Sequence, residues 1–207
     1  MRSRALEQVS AKMDLQKINV KFFAVEKEPV PLTAFIDIFH SWIQASDGIY
    51  HDVADYSHMT NGPGIVLVAH DANVHIDETG GRRGLLYTQK ALLPGSNQER
   101  LRIVLRAALE NCRKLEQESA VRGKLKFSGD EVLISVNDRL VAPNTTESFQ
   151  SLKPDVEAVA GQLFNRASFA LSYKEDSRRR FSIAVRTFER FDVDGLIANI
   201  GGEAKYG

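Results

Sequence analysis

The chain has 207 residues, 27 basic and 27 acidic groups, and a 43% hydrophobic share. That is the balance of a globular protein long enough to bury a core without staples. Composition excludes disorder, collagen and coiled coil, and no apolar run approaches the ~18 residues of a membrane span. One cysteine, Cys112, excludes an internal disulfide framework. Zero net charge gives no footing for broad binding to nucleic acid or membrane.

Residues 1–16 read as a flexible tail. The opening MRSRALEQVSAKMDLQ lacks the apolar stretch of a signal peptide, which points to the cytoplasm. Asn19–Val25 is rich in β-branched and aromatic residues and predicts a strand, ended by Pro29 and Pro31. Thr33, as N-cap, opens a helix to Ala45 with Ile36, Phe39 and Ile43 on one stripe. Ile49–Tyr56, Ile65–His70, Val74–Asp77 and Gly84–Lys90 read as strands, separated by glycine-bearing turns.

The clearest element is a long helix opening at Ser96. Glu99 three residues on completes a capping box, and Leu101, Val104, Leu105, Ala108, Leu109, Cys112 and Leu115 follow at helical spacing. Cys112 on that stripe reads as a core thiol. Lys124–Phe127, Glu131–Val136 and Leu140–Ala142 read as three strands. Pro154 suits the first position of another helix. Ser168–Lys174 and Phe181–Thr187 form a hairpin, and Asp192 caps a last short helix.

These elements predict an α+β protein with largely antiparallel sheet and helices on one face. A β-α-β-β unit over 17–80 is followed by a second over 84–145 in the same globular body, then an α-β-β-α segment over 146–207. A shift of 67 residues lays Ile65–Asp71 on Val132–Asp138, which suggests an internal duplication.

Charge is segregated. Residues 32–81 hold seven acids, all five histidines and no Lys or Arg; residues 82–118 hold eight basic and four acidic residues. Alternation about Val53 places His51 and Asp55 on one face of a strand, with His58 beyond it and His70 and Asp71 ending the neighbouring strand. Imidazoles and carboxylates without a competing ammonium suit a divalent transition metal. His51, Asp55, His58 and His70 are therefore candidate ligands, and Asp71 a candidate catalytic base. The spacing matches no tight motif, and a solvated acidic face with surface histidines is the simpler account of it. Arg82 and Arg83, flanked by Gly80, Gly81 and Gly84, are candidates for holding an anionic cofactor, or simply a hairpin tip.

Asp52–Tyr56, Gly62-Pro63-Gly64, Gly84–Tyr87, Val136–Leu140 and Ala142-Pro143-Asn144 resemble a family of uncharacterised bacterial proteins over about residues 17–187. The resemblance implies a bacterial cytosolic protein and no particular activity. The residues favour a binding or assembly protein that self-associates or meets a protein partner, its acidic and basic segments pairing between subunits. A metal-dependent, hydrolase-like enzyme built on the His/Asp set is the alternative. Nucleic-acid binding lacks a basic stripe with exposed aromatics.

Overall fold

A computed structural model describes residues 13–201. It contains eight strands: β1 (Ile18–Glu26), β2 (Tyr50–Tyr56), β3 (Gly64–Ala69), β4 (Ala72–Asp77), β5 (Gly84–Gln89), β6 (Leu125–Val136), β7 (Phe169–Tyr173) and β8 (Ser182–Thr187). Four helices accompany them: α1 (Thr33–Ala45), α2 (Asn97–Gln117), α3 (Thr146–Leu163) and α4 (Val193–Ile200). The strands form one sheet in the order β2-β3-β4-β5-β1-β6-β8-β7, with every neighbouring pair antiparallel.

Alternation along the strands separates the two faces of this sheet. Ile18, Val20 and Phe22 of β1, with Leu85, Val132, Ile134, Ile183 and Val185 beside them, join the same buried cluster as the apolar stripes of all four helices. The predicted α+β architecture, with helices on one face, is what the chain forms. α2 lies over the central strands β5, β1 and β6, and α1 over β2 and β3. Its capping box is complete, with Ser96 accepting from the Glu99 N–H and Glu99 from the Ser96 N–H. Cys112 is fully buried on this stripe, and burial pushes its thiol well above the usual range.

Several boundaries differ from expectation, each for a physical reason. Thr33 does not cap α1; the carbonyls of Pro31 and Leu32 take its first donors. β6 is one strand, because the Ser128-Gly129-Asp130 turn signal is absorbed where the β1–β6 register shifts. Gly129 is required there, since a Cβ would sit 2.1 Å from the Phe191 carbonyl. Residues 140–142 are turn, with the Leu140 and Val141 N–H groups donating to Asp138. With one strand after α2, the order strand-helix-strand-strand does not recur, and the duplication gains no support. Most of the predicted tail lies outside the described residues. Its end is docked: Leu15 is 1% exposed and donates its N–H to Asn97.

The largest displacement is in α3. Thr145 caps it, Ser148 and Leu152 are buried in its first turns, and Pro154 sits inside rather than at its start. An interior proline removes a backbone donor and crowds the carbonyl four residues back, here Gln150. Pro154→Ala is therefore expected to stabilise the chain by about 1 kcal/mol or more, measured as a raised urea midpoint. At a first helical position the same change would be neutral or unfavourable.

Candidate functional site

The predicted ligands do not converge. β2 is an edge strand whose register shifts between Tyr50 and Asp52, and the bulge breaks the alternation that placed His51 with Asp55. Asp55 pairs with Ile65 at one end of β3, while Tyr50 pairs with Ala69 at the other. His58 therefore lies near Asp55, and His70 about 13 Å further along the strands, beside His51. Asp55 is turned to the Ser57 N–H, 2.8 Å away. His70 and Asp71 hydrogen bond to each other at 2.6 Å, with side chains 88% and 71% exposed. That is a solvated pair, not a positioned base. Among the described residues no three His, Cys, Asp or Glu side chains gather as a metal site.

Arg82 and Arg83 point to opposite sides of the β4–β5 hairpin, and both are engaged. Arg83 bonds Glu26, Glu78 and the Val30 carbonyl on the helix side. Arg82 stacks 3.6 Å over the Phe23 ring and makes two 2.9 Å bonds to Glu131. Neither has its guanidinium free for a cofactor. Among the described residues Arg83–Glu78 is the ion pair that joins the basic segment to the acidic one, whereas Arg82 pairs outside it with Glu131.

The opposite face of the sheet carries no helix, and its centre is nevertheless buried. Asn19, Lys21 and Phe23 of β1 point there, with exposures of 1%, 3% and 8%. The register sets Asn19 between Thr88 and Ser135, and places His75 in the same row as Leu86, Lys21 and Leu133. Lys21 runs its stem across Gly84, where a Cβ would lie 2.8 Å from Lys21 Cε, and donates to Asp77 Oδ2 at 2.6 Å. The Arg82 carbonyl takes a second bond from Lys21 at 2.6 Å, and the Thr79 hydroxyl donates to Asp77 Oδ1. One strand further on, Glu131 accepts from Arg186 as well as from Arg82. Burial works against its charge, but the two guanidiniums more than offset this and hold its carboxyl below the usual range.

Two groups on this face have no such partners among the described residues. Asn19 Oδ1 is buried and accepts no hydrogen bond, and neither ring nitrogen of His75 has one. Burial pushes the His75 imidazole down to about 4; the charge of Asp77 opposes the shift and that of Arg180 adds to it. The ring is therefore neutral at pH 7, with one N–H donor and one bare nitrogen acceptor. The burial of Asn19 and Lys21 without a covering helix is what a sheet curled about this open face would give.

Sequence reasoning passed over both residues. The signal for His75 was its place between Val74 and Ile76, which turns it away from the core. For Asn19 and Lys21 it was their alternation with Ile18, Val20 and Phe22. Comparison with protein-family models, curated proteins and solved structures finds no match to this chain.

Two outcomes follow from this geometry. Asp77→Ala leaves a buried ammonium without its carboxylate and is expected to cost about 3–5 kcal/mol in urea unfolding, while Lys21→Met with Asp77→Leu recovers most of it. His75 binds its proton in the unfolded chain near the ordinary 6.5 but only near 4 when folded. The unfolded state thus holds more protons in that window, and stability falls as pH drops from about 6.5 towards 4. His75→Gln removes up to about 3 kcal/mol of that acid-side decline, read from denaturant midpoints across the window.

Proposed function

We propose that the chain is a cytoplasmic binding protein that holds a small polar molecule on the helix-free face of its sheet, between Asn19 and His75. The observation that carries this reading is the buried, unpartnered Asn19 Oδ1. A buried amide oxygen without a donor costs about 1–3 kcal/mol. Hydroxyl side chains on either side, Thr88 and Ser135, do not bond to it, although the register makes them its neighbours. Strain of this kind is characteristic of groups set for an incoming ligand, which supplies the missing partner when bound.

The neighbourhood supports the same reading. Lys21–Asp77 and Arg82–Glu131–Arg186 satisfy one another and make a rigid frame. His75 offers one donor and one acceptor, and Leu86 and Leu133 form half-buried apolar floor beside it. That combination of apolar lining with few directed polar groups is the make-up of a ligand site. Self-association through pairing of acidic and basic segments has less support, because Arg82 and Arg83 are engaged within the chain.

Asn19→Leu separates a ligand group from a structural one. It is expected to raise the thermal midpoint of the free protein by several degrees, since an unsatisfied amide gives way to apolar contact. A panel of amino acids, organic acids, nucleosides and sugars should contain members that raise the wild-type midpoint and leave the variant's unchanged. A variant less stable than wild type, or a panel that treats the two proteins alike, would contradict the reading.

A further inference from the structure

We propose that the chain forms a two-fold dimer in which the free edge of β7 pairs antiparallel with β7 of a second copy. The axis passes at Leu171, and the two sheets run on as one. This surface is separate from the open face and from the segregated acidic and basic segments.

The sheet ends in β2 on one side and β7 on the other, and the two edges are built differently. An edge strand presents unpaired N–H and C=O groups, and charge, proline or a bulge keeps other strands away. β2 has such protection. Its register shifts between Tyr50 and Asp52, and Asp52 and Asp55 are both exposed. A second β2 alongside it would set carboxylates against carboxylates. β7 has none of these features. Phe169-Ala170-Leu171-Ser172-Tyr173 contains no charge and no proline, and its pairing with β8 runs without a shift. Among the described residues no strand pairs with its outer side.

The sequence of β7 complements itself, which is why the occupant is a second copy. With the axis at Leu171, Phe169 of each copy lies across from Tyr173 of the other, and Ala170 across from Ser172. Aromatic cross-strand pairs of this kind stabilise antiparallel sheet. Both rings are already ordered, Phe169 against Phe164 and Tyr173 against Phe149 and Phe181. On the other face Ala170 and Ser172 are exposed and small, so nothing bulky obstructs the approach. Further out the count brings Ser168 to Lys174, and Arg166 to Asp176, which also holds Arg178 and Arg179 in its own loop. Moving the axis to Ala170 would instead oppose Arg166 to Lys174, and moving it to Ser172 would oppose Phe169 to Glu175. A two-fold arrangement also closes, using up the unprotected edge and leaving only β2 edges outside. Pairing β7 with β2 would meet the bulge and build an open chain.

The test is sedimentation velocity of the full chain from micromolar to near-millimolar concentration, beside two double variants. Ala170→Glu with Ser172→Glu sets like charges across both symmetry-related contacts and should raise the dimer dissociation constant about tenfold or more. Ala170→Glu with Ser172→Lys sets opposite charges there and should return it to near the wild-type value. Both positions are exposed, and Ala170 faces Arg186 on β8, which suits a glutamate. On the wild type itself, amide hydrogen exchange in β7 should slow as concentration rises, while β2 is unchanged. A wild type that stays monomeric throughout would overturn the proposal and leave the edge for an extended peptide of another protein. A dimer that the paired glutamates leave equally tight would lie on another surface. Loss of the dimer in both variants alike, or β7 exchange indifferent to concentration, would exclude the antiparallel pairing about Leu171.

Discussion

A sheet of eight strands with all its helices on one side has to dispose of the other side by its own means. Here the solution is a lysine ammonium and an aspartate carboxylate 2.6 Å apart, each side chain 4% exposed, in the middle of the uncovered face. Removing two charges from water is costly, and their attraction repays it only when the remaining donors and acceptors are met. The Arg82 carbonyl and the Thr79 hydroxyl meet them. Gly84 keeps the path between the strands open, and Arg82 closes over Phe23 to reach Glu131. These contacts tie β1, β4, β5 and β6 together on the side that no helix braces.

Against that satisfied frame, Asn19 and His75 stand out as groups with nothing to bond. The frame gives them rigidity and burial, the two properties that make a hydrogen bond to an arriving molecule worth more than one in water. The same burial keeps His75 neutral, so that it can donate and accept at once. Exposed pairs such as His70–Asp71 lack both properties. Solvent competes for every bond they make, and this separates the open face from the acidic edge as a place for recognition.

Local signals reported local structure well. The Ser96–Glu99 box placed α2, Asp192 capped α4 through the Gly195 N–H, and the β7–β8 hairpin fell where its turn residues put it. Helices on one face also followed from the stripes of α1 and α2. What could not be read was non-local. Alternation says that His51, Asp55 and His70 leave their strands on given sides, but not that β2 is an edge with a bulge, nor that antiparallel pairing sends His58 and His70 to opposite ends. Alternation likewise marked Asn19 and Lys21 as facing away from the core, which ordinarily means facing water. Their burial depends on sheet curl and on partners 49 to 61 positions away in sequence, as in Arg82–Glu131 and Lys21–Arg82. Pro154 misplaced α3 because a first-position preference is statistical, while the Thr145 cap and the burial of Leu152 are specific.

The central claim is that the open face holds a small molecule. Native mass spectrometry of the full chain, purified rapidly from cells that naturally make it and compared with Asn19→Leu expressed in the same cells, tests it most directly. The account predicts a discrete added mass on a fraction of the wild-type protein, lost on mild activation and missing from the variant. Wild type and variant giving the same bare mass, or the same adduct, would contradict it.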